Sequence, residues 1–342
     1  MISNAWSQLG GDIDGQSGNN FFGTSVSLSS DGGRLAVGLP GLSKVRVFEW
    51  VSASITWTQL GADISSTVVD GGFGNSVSLS GDGARLIVGQ PEKTGSGVAG
   101  SGHIKVLQYG TMVGTWDQIF SQDGPSSIAA SLAGDKSSDG FGQSVAMSSD
   151  GGAIAVSAPY YRQPSGIWPV GVVYTYRAEN GNSNQWNLDS GSPTGPQGID
   201  HFGTSIALSS DGTKLAIGAS QHDLVGADNG YVQIYELDVT GWVQTGADIV
   251  GLDTGDQFGT SVALSSNGSV VAIGAPMGQA KEITGSGELR VFKIKPQAHR
   301  RCQAHCRCQA HRRCQAHRHH LVSWRLRRRP AMRLYRASRI PG

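Results

Sequence analysis

One stretch, FGTSVSLSSDGGRLAVGLP at residues 22–40, is written five times along the chain. The other copies are FGNSVSLSGDGARLIVGQP from Phe73, FGQSVAMSSDGGAIAVSAP from Phe141, FGTSIALSSDGTKLAIGAS from Phe202 and FGTSVALSSNGSVVAIGAP from Phe258. In each, a turn residue (Asp31, Asp82, Asp150, Asp211 or Asn267) lies nine positions after the phenylalanine, and successive copies begin 51, 68, 61 and 56 residues apart. A constant core separated by spacers of variable length, at this period, belongs to a propeller or a solenoid.

Inside one copy the apolar period is two, the period of strands. SVSLS and RLAVG alternate, so that Val26 with Leu28 and Leu35 with Val37 each share a face. The Asp-Gly pair between them tolerates positive φ and closes a tight hairpin. KVRVFEW supplies a third strand through Val45 and Val47, and WTQLGADI from Trp57 a fourth. A four-stranded meander cannot bury both of its faces alone, and stacking such meanders around an axis buries them.

The expected fold is therefore all-β, a β-propeller of five four-stranded antiparallel blades. Fourth-strand tryptophans stand at Trp6, Trp57, Trp116, Trp186 and Trp242, whereas the last repeat stops after ELRVFKI. The leading WSQLGGDI is thus expected to complete the fifth blade and hide two raw edges. The alternative is an open arc of a longer propeller, since the chain opens inside a repeat, as a fragment or a misplaced start would.

Charge divides the chain into 1–295 and 296–342. The first part holds 14 of the 27 basic residues and all 26 acidic ones, a net −12; the second holds 13 Arg, six of the nine His and all four Cys. An acidic body argues against nucleic acid as a partner of the propeller. The second part begins with a six-residue tandem repeat and reads as a disordered low-complexity appendage or a frame artefact. Its Cys302, Cys306, Cys308 and Cys314 match no zinc-finger spacing. No apolar run is long enough to span a membrane, and no secretory signal is visible at the N-terminus.

The motif FG.SV.LS.DG..LAVGAP, ending in GAP at residues 274–276 and SAP at 157–159, resembles the FG-GAP repeat of the β-propeller in integrin alpha subunits and of many secreted or surface proteins. That resemblance implies an extracellular or cell-surface setting and adhesion or ligand binding. The chain departs from the family at its calcium loop, D-x-[DN]-x-[DN]-G. Here that connection is only SSDG, SGDG or SSNG, and one carboxylate per turn cannot supply the oxygens a calcium ion needs. No metal or cofactor is expected. Asn267, in NGS, is a possible glycosylation sequon.

With the repeated core a scaffold, function is assigned to what varies. The 2–3 and 4–1 loops share one end of an up-and-down blade, and they vary in length while the 1–2 turn does not. Variable loops on a rigid scaffold are where binding resides. Within YYRQPSGIW of the third repeat, Tyr160, Tyr161, Arg162 and Trp168 form the candidate ligand-binding group, being of the types that dominate binding hot spots; the alternative is that these aromatics cap the blade. Asp70, Asp139, Asp200 and Asp256, before the Phe-Gly pairs, either line the same face or serve as turn caps. His103, His201 and His222 lie in different repeats. The functional expectation is a non-catalytic module recognising a protein or glycan, not an enzyme. The alternative is a propeller hydrolase using loop carboxylates, although no G-x-S-x-G or H-E-x-x-H motif is present.

Overall fold

The computed structural model describes residues 6–15, 18–66, 71–92, 100–110, 114–123, 139–163, 168–179, 182–196, 200–221, 228–278 and 285–293. The segment 296–342, Asp70, His222 and parts of the long loops lie outside the described residues.

The protein is an all-β propeller of five antiparallel blades, with one short 3-10 turn among the described residues, at Pro40–Leu42. Blade 1 comprises β1 (Val26–Leu28), β2 (Arg34–Leu39), β3 (Lys44–Val51), β4 (Thr56–Gln59) and β5 (Ile64–Ser65); the last two both pair with β3, an outer strand interrupted at Leu60–Asp63. Blade 2 has β6 (Ser76–Leu79), β7 (Arg85–Gln90), β8 (His103–Gly110) and β9 (Thr115–Asp123). Blade 3 has β10 (Val145–Met147), β11 (Ala153–Ala158), β12 (Val172–Glu179) and β13 (Asn182–Leu188). Blade 4 repeats the interrupted outer strand: β14 (Ser205–Leu208), β15 (Lys214–Ala219), β16 (Tyr231–Asp238), β17 (Gly241–Gln244) and β18 (Ile249–Val250). Blade 5 contains β19 (Ser261–Leu264), β20 (Val270–Ala275) and β21 (Glu288–Lys293).

The hydrophobic cores lie between blades. Val45 and Val47 of blade 1 meet Val77 and Leu79 of blade 2, and Ile104 and Val106 meet Val145 and Met147 of blade 3. Val173 packs with Ile206 of blade 4, and Val232 and Ile234 pack with Val271 and Ile273 of blade 5. Phe73, Phe141, Phe202 and Phe258 of the motif are fully buried at these joints.

The motif glycines permit a close approach between blades. A Cβ on Gly38 would come within 2.0 Å of the Gly74 carbonyl oxygen, and one on Gly218 within 2.1 Å of that of Gly259. Serine hydroxyls bind the same carbonyls: Ser25 donates to Gly74 at 2.7 Å, Ser76 to Gly142 at 2.8 Å and Ser205 to Gly259 at 2.8 Å. The repeated sentence therefore encodes the joint between blades as well as a hairpin.

The 1–2 turns behave as backbone devices. Asp150 accepts from Ser148 Oγ at 2.6 Å and from the Gly152 amide at 2.9 Å, and the Ala153 amide donates to Ser148 Oγ at 2.8 Å. The same arrangement holds at Asp31, Asp82, Asp211 and Asn267. Hydrogen bonding to the carboxylate form holds Asp31 below the ordinary carboxylate range, Ser29 contributing most. Replacing Asp150 with Ala should lower stability by about 1 kcal/mol through the lost turn contacts. Thermal melts with and without chelator check this; a calcium-dependent shift in the wild type would mean that these carboxylates hold a cation.

The N-terminal stretch behaves as part of an outer strand. Trp57 Nε1 donates to the Leu9 carbonyl at 3.1 Å, as Trp116 Nε1 does to that of Leu60, also at 3.1 Å. Gly10 and Gly61 share φ = 79°. Residues 9–10 thus lie against blade 1 in the conformation that residues 60–61 adopt against blade 2. The expected completion of the fifth blade is not made by these residues: 6–13 form no strand pairing with β21, and the fifth sheet has three strands among the described residues.

Candidate functional site

Where the chain enters each blade it is bound to the 2–3 loop. The amide of Glu92 donates to the Gly71 carbonyl at 3.2 Å, Tyr160 to Asp139 at 3.2 Å, Gln221 to Asp200 at 3.4 Å and Met277 to Asp256 at 3.3 Å. The residue that follows is left-handed, with φ of 66° at Gly140, 50° at His201 and 53° at Gln257. This backbone turns the preceding side chain inward. Asp139, Asp200 and Asp256 are accordingly buried, only 1, 3 and 1% exposed. Blade 2 has Gly71 at this place, and the Gln90 side chain occupies the space.

The three buried aspartates differ in their surroundings. Asp256 Oδ2 accepts the amides of Leu252 (3.2 Å) and Asp253 (2.8 Å), a local cap. Asp200 lies beside Tyr231, whose hydroxyl is pushed up by burial and then by the Asp200 charge. Asp139 Oδ1, like Asp256 Oδ1, has no hydrogen-bond partner among the described residues; Asp139 stands apart in having Arg162 beside it. Burial pushes the Asp139 carboxyl up to about 7, against the opposing pull of the Arg162 guanidinium.

Three of the four residues singled out from the sequence gather around this carboxyl. Tyr161 packs onto the core between blades 2 and 3, its ring edge-on to Tyr174 at 6.5 Å, and its hydroxyl is pushed up by burial and by Asp139. Arg162 bridges to Pro169, and the Tyr161 carbonyl accepts the amides of Val170 (2.9 Å) and Gly171 (3.1 Å), which fixes the base of the loop. Tyr160 lies over Gly140 and stands edge-on to His201 of blade 4, with ring centroids 4.9 Å apart. Trp168 is 59% exposed at the loop rim. Tyr161 thus caps the core between blades 2 and 3, as the alternative reading expects, while Tyr160 and Trp168 face outward.

His201 lies in a different repeat from His103 and His222, and the fold gives it a neighbour from the preceding blade. Burial pulls its imidazole below the ordinary value, with Asp228 opposing, which favours the neutral form. The place therefore combines a carboxyl that titrates near neutrality, a fixed cation, an imidazole biased towards its neutral form and exposed aromatic surface. That is general acid–base equipment with an anion-stabilising group. No cluster of His, Cys, Asp and Glu suited to a metal ion occurs among the described residues.

A concavity of about 330 Å³ lies between blades 1 and 2 and is lined by Asp63, Lys105, Trp116 and Gln118. Its carboxylate is committed: Asp63 pairs with Arg46 at 2.8 Å and Lys44 at 3.1 Å, and Arg46 foremost holds it down at about 2. Such a group is a poor proton acceptor at neutral pH.

No family model matches the chain, and no curated protein does. Among solved structures, the fold is similar to a putative 6-phosphogluconolactonase from Bacteroides uniformis (11% identity, TM-score 0.52, covering 81% of this chain and 68% of that one). It is also similar to the periplasmic gluconolactonase of Pseudomonas aeruginosa (14% identity, TM-score 0.51, covering 81% and 69%). At these identities the likeness is one of fold. It nevertheless corrects the expectation of a non-catalytic adhesion or binding module: these two propellers of similar fold are described as a putative 6-phosphogluconolactonase and a gluconolactonase. No helix among the described residues is long and apolar enough to cross a membrane.

Proposed function

We propose that this propeller, built of FG-GAP-like repeats, is a hydrolase of small cyclic esters, with sugar lactones as the substrate class. The observation that carries the reading is the buried Asp139 carboxyl, raised to about 7 beside Arg162 on the loop face. Ionised Asp139 would take a proton from water as the water oxygen attacks the lactone carbonyl. The ring C–O bond then breaks, and the proton passes from Asp139 to the departing ring oxygen, leaving a hydroxy acid. Arg162 would stabilise the developing negative charge, and Tyr160 with Trp168 would offer apolar faces to the sugar ring. The gluconolactonase names of the fold relatives agree with this substrate class. The secreted or surface setting implied by the FG-GAP resemblance is kept, and one fold relative is described as periplasmic.

The test is acid release from gluconolactone and related lactones, followed by pH-stat. Turnover should exceed the spontaneous rate and rise with pH through an apparent value near that of Asp139, since the ionised form is the base. Arg162→Ala should lower kcat/KM roughly 10²-fold, the usual loss for an anion-stabilising group. No catalysis over the spontaneous rate on a panel of lactones would overturn the reading.

A further inference from the structure

The four joints between blades share a buried phenylalanine and a bond between 1–2 turns, and three of them share the serine–carbonyl contact; at the joint of blades 3 and 4, Ser157 replaces the glycine and Ser144 Oγ accepts the Ile206 amide instead. Both halves of a fifth joint exist without being made. Besides the serine–carbonyl contacts, a series of backbone hydrogen bonds links the 1–2 turns: Ser30 donates to Gly81 at 2.8 Å, Gly81 to Ser149 at 2.7 Å, Ser149 to Ser210 at 2.8 Å and Ser210 to Ser266 at 2.9 Å. At the trailing end, blade 5 carries the donor half, with Ser261 beside Gly274. Its Leu289 and Val291 are 69% and 61% exposed, although the equivalent Val232 and Ile234 of blade 4 are buried. At the leading end, blade 1 carries the acceptor half. A Cβ on Gly23 would meet nothing within 4 Å. Val26 and Leu28 are 63% and 58% exposed, whereas the equivalent Val77 and Leu79 are buried at 8% and 6%.

We propose that the blade 5 face of one molecule seats on the blade 1 face of a second copy of this chain, making the joint that blades 1 and 2, 2 and 3, and 4 and 5 make internally. The occupant follows from continuity with that joint. The acceptor for Ser261 is the Gly23 carbonyl, the partner of the Ser266 amide is the Ser30 carbonyl, and the cover for Leu289 and Val291 is Val26 and Leu28. Within one molecule these faces do not cover each other. The N-terminal segment adds an independent argument. Residues 9–10 already lie against Trp57 as a preceding blade's outer strand would. In the assembly, residues 6–13 would run along β21 of the neighbouring molecule, whose sheet has three strands among the described residues. The chain would thereby supply its copy with a strand beside β21, making a fourth to the three described there. Because the two faces differ, the contact is heterologous and propagates.

Sedimentation of the full chain over a wide dilution series tests this. The wild type should grow beyond a dimer as concentration rises. Leu28→Glu and Leu289→Glu should each stay monomeric alone, with circular dichroism melts confirming that they fold; Val26→Lys and Val291→Lys replace either variant that does not. An equimolar mixture of one variant from each face should form a discrete dimer and stop there, because each retains one intact face. A folded wild type that stays monomeric at every concentration, or assembly that survives both substitutions, would overturn the proposal.

Discussion

Replacing Asp139 with Asn is expected to make the protein more stable and less active at the same time. The sign follows from the carboxyl's environment. Its folded-state value, about 7, lies well above the ordinary carboxylate value near 4, so between these pH values the native state holds a proton that the unfolded chain has released. Stability therefore falls as pH rises through this window, and the full cost of the buried charge is reached above pH 7. The neutral amide avoids that cost, a gain of about 2 kcal/mol at pH 8 after allowing for water reaching the loop side, and almost nothing near pH 4. Lactone turnover should meanwhile fall by roughly 10²–10⁴, the usual contribution of a general base. Melts at both pH values and pH-stat rates check the pair. Asp256→Asn is the control: Asp256 accepts two backbone amides, so weakening that cap should destabilise at both pH values. A melting temperature for Asp139→Asn that never exceeds the wild type's would show that the carboxylate is well solvated or paired, and would remove the basis for the catalytic reading.

The strands were legible because alternation and turn chemistry are local. Val26 with Leu28, the Ser-Asp-Gly turn and the recurring phenylalanine each state their role within a few residues. What lay outside the sequence was anything decided by a neighbouring blade. Gly38 looks like an ordinary strand glycine until the Gly74 carbonyl, 36 positions later in the sequence, is seen to need the space of its Cβ. Asp139, Asp200 and Asp256 share an offset of two residues before the phenylalanine, which marked them as a set. Whether they were turn caps or site residues depended on the surrounding loop: Asp256 is capped by its own segment, whereas Asp139 faces Arg162. The segment YYRQPSGIW shows the same limit, since Tyr161 and Trp168 are both aromatic yet one packs on the core and the other faces solvent. His201 carried no signal of its own, because its neighbour Tyr160 belongs to the preceding blade.

The joint itself predicts a sharp contrast between two copies of one motif position. Gly89→Ala should be among the most damaging small substitutions in the chain. Its Cβ would lie 2.0 Å from the Gly142 carbonyl oxygen, 3.0 Å from the carbonyl carbon and 2.3 Å from Ser76 Oγ. Two of these atoms are backbone of the next blade, so blades 2 and 3 must separate at the point where Phe141 is fully buried. A cost of about 3 kcal/mol is expected, at the upper end for overpacking by a single methyl group. For a domain of this size that corresponds to a melting temperature lower by roughly 6–12 °C. Gly274→Ala changes the same motif position in blade 5, where the Cβ would press closely only on Ser261 Oγ, at 2.4 Å. A hydroxyl rotates away easily, so the loss should stay below about 1 kcal/mol. Paired melts of the two variants decide the matter. Equal destabilisation would mean that the glycines are selected for strand conformation, and that the close approach of blades is not what the motif encodes. If Gly274→Ala leaves the fold intact and suppresses concentration-dependent growth, the same methyl group will have separated the joint within a molecule from the joint between copies.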